Sequence, residues 1–512
     1  MTTEEDKADR GFTRRGYGLL CLAMALAFPA HLLLYAAPYG LGVHYDSAVY
    51  LNSALNLLDG KGYAVDLTGG APRPAVWFPP GYPVLMAASL RFISDPALAL
   101  ELLSAVCMGL GVWVMSRLAK HYCGGNLAGA AACTALYAFS VVNLEVHSWA
   151  QSEPPFVLFT LAALYFLARH LDEGRWGHLA AGGLFCALAA LTRYAGVALI
   201  GAATVWLLLA RGPAAANRIW RAGAFMATAA SPLAAFIVRN RLAGCGYTGR
   251  PMTVFLIDGE KLTQLAASVS GAVVPGSDRF RVFPGQEFAV FAAALAALAL
   301  TVFLFQRSRR NPGEDSPPAS LGLFLFYPLA YMLMLATLIT FVDSTIVFDM
   351  RLLSIAIIPV FVFAGGVLCR ARFSSRSARR AFTALVCAQM VLFAASYGAW
   401  TWYMAKNGRG QSARKCLSPQ ADAFAASVTG GADLYSNNVE GLYFRLREPV
   451  GTYKDLCRAS ALEGRPRYIV HLETSDRLTL NSVAWSGDRA LPGCVKRALV
   501  MKDGPVSVYR VE

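Results

Sequence analysis

Charge is what this sequence has least of. Only 15% of its 512 residues are Asp, Glu, Lys or Arg, against roughly a quarter in soluble proteins. Hydrophobic residues make up 56%, and mean hydropathy is +0.44. A soluble chain of that composition would leave much apolar surface in water, whereas a bilayer accepts it. The shortage therefore excludes a soluble enzyme, a disordered chain and a coiled coil. Acids are scarcer than bases, 32 against 46, for a net charge of +14. This excess does not mark a nucleic-acid partner, because the basic residues sit in short clusters between apolar runs, the footprint of membrane topology. Also lacking are a metal-ligand spacing, a Gly-rich phosphate cradle, an internal repeat, a low-complexity segment and an Asp-x-Asp pair.

What is present is a series of charge-free runs. An ionised group at mid-bilayer costs roughly 2.5–3.5 kcal/mol on insertion scales, so such runs mark spans. Eleven are read, at 17–37, 96–119, 126–144, 155–168, 177–191, 196–210, 222–238, 288–306, 321–341, 352–369 and 381–403. The fourth to sixth fall short of the roughly 20 residues a span needs, which predicts broken helices or polar ends. Arg14/Arg15, Lys120, Arg169/Arg175, Arg211/Arg218/Arg221, Arg307/Arg309/Arg310 and the cluster from Arg370 to Arg380 then share one face. The positive-inside rule makes that face cytoplasmic. The first span lacks a small-x-small cleavage site and reads as a retained anchor.

The expected fold class is an all-α polytopic membrane protein with a small extracytoplasmic α/β C-terminal domain. Its parts are a cytoplasmic N-terminus 1–16, a membrane domain 17–404 with outer loops 38–95 and 239–286, and an outer domain 405–512. In the last, strands are expected at 432–436, 467–472, 495–501 and 506–511, with a short helix at 439–447. Cys245, Cys416, Cys457 and Cys494 lie on the outer side, where a disulfide can form, and their pairing is open. The other cysteines, in or beside spans, read as packing residues.

The first outer loop carries the most chemistry. Val49, Tyr50, Leu51, Ala54, Leu57 and Leu58 form a helical stripe over Ser47–Leu58, closed by Asp59-Gly60. This predicts an amphipathic helix lying on the outer membrane surface. It is preceded by His44-Tyr45-Asp46. Two roles are open to Asp46, a general base or metal ligand in a partly desolvated site, or a helix N-cap. Downstream, Trp77-Phe78-Pro79-Pro80-Gly81-Tyr82-Pro83 is a rigid aromatic segment. Trp77, Phe78 and Tyr82 either line a groove for a polyprenyl chain or mark the membrane interface.

Together these residues resemble a known family. Asp46, the run from Tyr50 to Leu58, Gly60-Lys61-Gly62-Tyr63 and Phe78-Pro79-Pro80-Gly81-Tyr82-Pro83 are similar in order and spacing to the GT-C membrane glycosyltransferases. The branch is that of the bacterial relatives of dolichyl-phosphate-mannose protein mannosyltransferase, with the lipid A aminoarabinose transferase. The resemblance continues through Ser152-Glu153-Pro154-Pro155-Phe156, Leu191-Thr192-Arg193-Tyr194, Arg239-Asn240-Arg241, Arg351-Leu352-Leu353 and Tyr435-Ser436-Asn437-Asn438. It implies a bundle with interfacial helices in the first outer loop, a small outer domain and a sugar donor on polyprenyl phosphate. Ser47 stands where the protein mannosyltransferases carry a second acid, and Trp77-Phe78 where the aminoarabinose branch has an acid and a Lys. The sugar and the acceptor, whether glycolipid, polysaccharide or protein, therefore stay open.

Such a donor requires a base for the acceptor hydroxyl and a cation for the departing phosphate. The resemblance makes Asp46 the base. Arg239 and Arg241 are expected to bind the phosphate, with Arg351 and Arg193 as alternatives; the competing role of each is snorkelling to headgroups. Tyr45, Tyr50, Glu145, His147 and Glu153 are candidates for orienting the acceptor. The three acids of Asp46, Glu145 and Glu153 also suit Mg²⁺ or Mn²⁺, although no cofactor is certain. For Tyr435-Ser436-Asn437-Asn438 a strand-end turn competes with ligand binding.

Two rival readings are a transporter or flippase of lipid-linked sugars and a non-catalytic envelope assembly subunit. The first needs polar groups at mid-bilayer, where only Glu101, near one end of its span, is a mild exception. No organelle-retention or lipidation motif is found. With the bacterial branch, this places the chain in a bacterial inner membrane.

Overall fold

The computed structural model describes residues 13–67, 71–210, 214–246, 254–277, 282–310, 316–344, 346–371, 375–410, 418–451, 453–458, 466–472, 496–503 and 505–511. Helix α1 (Arg14–His31) is capped by Thr13, whose hydroxyl accepts the Gly16 N–H at 3.0 Å, and runs into a π turn at Leu32–Ala36. The segment between α1 and the next long helix holds α2 (Tyr45–Leu58), the two-residue strands β1 (Ala64–Val65) and β2 (Arg73–Pro74), and α3 (Gly81–Leu90). Then come α4 (Pro96–Tyr122), the bent pair α5 (Leu127–Ala138) and α6 (Val141–His147), and α7 (Glu153–Glu173). Next are α8 (Trp176–Thr192), α9 (Gly196–Leu209), α10 (Ala215–Leu242), α11 (Gly259–Val273), α12 (Gln286–Arg310), α13 (Leu323–Phe341), α14 (Met350–Leu368) and α15 (Arg376–Asn407). The Tyr17 hydroxyl donates to the Ser116 carbonyl at 2.6 Å, which makes α1 a member of the bundle.

All eleven charge-free runs are helical, but not all are full spans. Among the described residues eight helices are long and apolar enough to cross a bilayer, or nine if the α5/α6 pair, bent by 48°, is one span. Helices α8 and α9, the other two of the eleven runs, have only 17 and 14 residues, apolar but short for a straight span. The fourth run is longer than expected, 21 residues, because Pro154 and Pro155 fit its first turn and Gly174, at φ 73°, closes it in the left-handed conformation. Helix α8 lies antiparallel to it: His178 at its start is 3.6 Å from Glu173, and Arg193 at its end is 2.7 Å from Glu153.

The C-terminal residues form the expected α/β unit. It contains α16 (Pro419–Val428), β3 (Asp433–Ser436), α17 (Val439–Leu446), α18 (Tyr453–Arg458), β4 (Arg467–Leu472), β5 (Arg497–Asp503) and β6 (Val506–Val511). Strand order is β3-β4-β6-β5, with β3 and β4 parallel and the other pairs antiparallel. Leu434, Leu442, Val470, Val506 and Val508 fill its core. Cys457 is disulfide-bonded and Cys245 is a free thiol, which removes Cys245 from the candidates; Cys416 and Cys494 lie outside the described residues.

This unit sits on the segment between α1 and α4. Asn52 Nδ2 donates to the Tyr443 hydroxyl at 2.7 Å, and the Val450 N–H donates to the Leu67 carbonyl at 3.2 Å. The placement corrects the expectation of a surface-lying α2. Residues Ser47 to Ala54 are all buried, because the helix is covered by protein on its polar face as well as its apolar one.

Candidate active site

The site starts from the way α2 begins. Its N-cap is His44, whose N–H donates to the Ser47 hydroxyl at 3.1 Å. Asp46 lies in the first turn, where its charge favours the helix dipole. Asp46 is thus not the cap, and among the described residues its carboxylate makes no hydrogen bond or ion pair. It is nonetheless close enough to His44, Tyr50 and Arg351 to act on each electrostatically. Burial lowers the His44 imidazole below its ordinary pKa, against the pull of Asp46.

Beneath Asp46 is a buried charge cluster. Pro154 and Pro155 fix the start of α7 and with it Glu153, which is 1% exposed. Its Oε1 accepts from Arg193 at 2.7 Å and faces Arg351 Nε at 3.4 Å. Arg351 also meets Asp349 at 3.3 Å, and Asp349 caps α14 by accepting the Leu352 N–H at 2.7 Å. Arg193 donates to the Ser152 hydroxyl at 3.1 Å, and Ser152 lies 3.2 Å from the Tyr50 hydroxyl. Among the described residues, four buried polar atoms of His44, Gln151 and Glu153 have no partner: Nδ1 and Nε2 of His44, Gln151 Nε2 and Glu153 Oε2. Buried polar atoms are normally satisfied, so such a group marks a place where a polar ligand completes the network.

The proline segment is what positions Arg193. A Cβ on Gly81 would come within 2.6 Å of the Leu191 carbonyl, so only glycine lets α3 press against the end of α8. The Tyr194 hydroxyl donates to the Val76 carbonyl at 2.8 Å, and Arg239 donates to the carbonyls of Ala75 and Tyr63 at 3.1 and 2.9 Å and to Asn240 Oδ1 at 3.0 Å. These contacts leave two of its five N–H groups, and no carboxylate pairs with Arg239 among the described residues.

Residues 78–236 match the family described as dolichyl-phosphate-mannose-protein mannosyltransferase. Arabinofuranosyltransferase AftD from Mycobacteria superposes with a TM-score of 0.52 at 16% identity, over 97% of this chain and 41% of that one. The oligosaccharyltransferase AglB from Archaeoglobus fulgidus, solved with an inhibitory peptide and a dolichol-phosphate, gives 0.51 at 12% identity, over 85% and 64%. The chain has the GT-C fold. ArnT from Cupriavidus metallidurans aligns over 97% of this chain and 98% of its own, at 13% identity and a TM-score of 0.49. No curated protein matches the sequence.

On this GT-C frame, Asp46, Tyr50, Glu153, Arg193 and Arg351 come together, while other expected site residues do not. Glu145 belongs to a second, closed network, accepting from Arg409 at 2.7 Å and from Trp149 Nε1 at 3.1 Å. His147 is 1% exposed and engaged by its Nδ1 with the Asn143 carbonyl at 2.8 Å, so the bend of α6 turns it into the core and away from any acceptor. Phe78 and Tyr82 pack edge-on against Tyr50 at 4.8 and 5.1 Å, and Tyr82 is 2% exposed. They build the wall behind Tyr50 and leave Trp77 as the exposed member of the supposed groove. Tyr45 and Arg241 are exposed. Ser436, Asn437 and Asn438 bond within their own domain, to Val470, Leu472 and Gly441, which is the turn reading. Among the described residues no trio of carboxylates or imidazoles lies within reach of one cation. Sequence reasoning missed Asp349, Gln151 and Arg409; the first two adjoin Arg351 and Ser152, so their neighbourhood was the signal.

Proposed function

We propose that the protein is a membrane glycosyltransferase that moves a sugar from a polyprenyl-phosphate donor to an acceptor hydroxyl on the extracytoplasmic side, in one displacement. The observation that carries this reading is the unpaired Asp46 carboxylate beside four unpartnered buried polar atoms. As the acceptor oxygen bonds to the anomeric carbon, Asp46 takes its proton, and the bond from that carbon to the phosphate oxygen breaks with its electron pair leaving on the phosphate. Arg239 is the cation best placed to receive that charge, since Arg193 and Arg351 are already offset by Glu153 and Asp349. The dolichol-phosphate bound by AglB, a GT-C protein of similar fold, supports a lipid-phosphate donor. The extracytoplasmic side follows from the arginine clusters, which fall at the opposite ends of the helices.

The test is transfer by the purified protein from radiolabelled polyprenyl-phosphate sugars to a panel of hydroxyl acceptors. Label in an acceptor, and its loss in Asp46→Asn, is the expected result. Binding without transfer across the panel, or movement of the intact donor between leaflets, would refute the assignment.

A further inference from the structure

At the far end of the bundle three thiols meet that the sequence scatters. Cys123 follows the last residue of α4, Cys133 lies in α5, and Cys369 follows the last residue of α14. Their sulfurs all lie within 4.8 Å of one another, with Cys133 and Cys369 4.0 Å apart. Two glycines keep that space open. A Cβ on Gly129 would stand 2.7 Å from the Cys369 sulfur, and one on Gly365 would stand 2.6 Å from the Cys133 sulfur. The Arg370 guanidinium is held there, donating to the Tyr122 carbonyl at 2.7 Å and to the Ser316 carbonyl at 3.0 Å.

We propose that Cys123, Cys133 and Cys369 form a binding site for a soft monovalent metal ion, Cu(I). Three sulfurs about 2.3 Å from a central ion in a trigonal array stand about 4 Å apart; the Cys133–Cys369 pair has that spacing and Cys123 lies within 4.8 Å of both. Structural zinc takes four protein ligands, and among the described residues no fourth Cys, His, Asp or Glu joins the group. A site made of thiols alone suits Cu(I). Binding displaces thiol protons, and Arg370, next to Cys369 and against Gly124, offsets the negative charge that remains. The ion would tie together the ends of α4, α5 and α14. The site is separate from the carboxylate cluster, since 18 positions along α14 part Cys369 from Arg351, about 27 Å at 1.5 Å per residue.

The test uses the full chain in detergent, reduced with a phosphine under nitrogen and titrated with Cu(I) against a chromophoric Cu(I) chelator. One Cu(I) per chain is expected. Its affinity should fall at least as far as the roughly hundredfold that losing even a supporting residue costs a metal site, in both Cys133→Ser and Cys369→Ser. The exposed Cys387 serves as control, so Cys387→Ser should bind as the parent does. X-ray absorption of the loaded parent should show sulfur scatterers alone, so the proposal is decided even if the serine variants aggregate. No Cu(I) retained against the chelator, retention in Cys133→Ser, nitrogen or oxygen ligands, or stoichiometric Zn(II) in its place would each overturn it.

Discussion

Two arginine-held carboxylates lie at the same end of the bundle and differ in what surrounds them. Glu145 is closed off: Arg409 donates to it and to the Ser148 hydroxyl, Trp149 donates to it, and the guanidinium stacks 4.5 Å from the Trp149 ring. Gly42 makes that packing possible, because any Cβ there would come within 2.5 Å of the same ring. Glu153 is the more deeply buried of the two, 1% exposed against 17% for Glu145, yet it leaves Oε2 unused, beside an unsatisfied His44, an unsatisfied Gln151 amide and a free Asp46. A satisfied network rigidifies, whereas one with donors and acceptors left over is completed by something else. The comparison gives Glu145 the work of holding three chain segments together and, on the proposed function, leaves the Glu153 neighbourhood for ligand.

The largest effect tests the closed side. Glu145→Gln removes the charge of one partner of a largely buried pair, and the fall in stability should be about 3 kcal/mol, the low end for such pairs. Thermal unfolding in detergent reads this directly, and turnover per folded molecule should stay near normal. A variant that melts as the parent does but transfers no sugar would move Glu145 into the site and erase the contrast.

Asp46→Asn tests the open side with opposite signs. Turnover should fall by on the order of a hundredfold or more through loss of the base. Only the dipole benefit of a first-turn charge, about 0.3–1 kcal/mol, should leave the fold. Full transfer by a normally inserted variant would make the unpaired carboxylate incidental.

Arg239→Ala sharpens the division of labour among the arginines. If its two remaining N–H groups hold the donor phosphate, donor affinity should drop by about ten- to a hundredfold, the equivalent of roughly 1.5 to 3 kcal/mol, with acceptor KM unchanged. An unaltered donor affinity would return the role to Arg351 or Arg193.

The parts of the molecule legible in the sequence are those governed by local chemistry. Scarce charge located the helices, Asp503-Gly504 located the β5/β6 hairpin, and Pro154-Pro155 located the start of α7. What local pattern cannot carry is which face meets what. The stripe of α2 reads as membrane-facing because the cover over its other face comes from Tyr443, 391 positions away. His147 reads as a site residue because nothing in Glu145-Val146-His147 tells the core side of a bent helix from the outer one. Glu145 and Glu153 look alike in sequence, and only Arg409 and Arg193 separate them. The thiols read as packing residues for the same reason, with 236 positions between Cys133 and Cys369.

The smallest effect tests whether the C-terminal unit belongs with the closed network or the open one. Tyr443→Phe keeps the ring that packs among Tyr50, Leu51 and Tyr82 and removes the hydroxyl that accepts from Asn52. Asn52 Nδ2 retains its bond to Asp66 at 2.7 Å, and its Oδ1 still accepts the Asp66 N–H at 2.8 Å, but its second N–H loses its only partner. The cost should be that of one buried donor left unpaired, about 1–3 kcal/mol, with transfer intact. That outcome would mark the unit as a cover that orders α2. A loss of transfer without loss of stability would instead place Tyr443 and Asn52 in the path of the acceptor, extending the open network into the C-terminal domain.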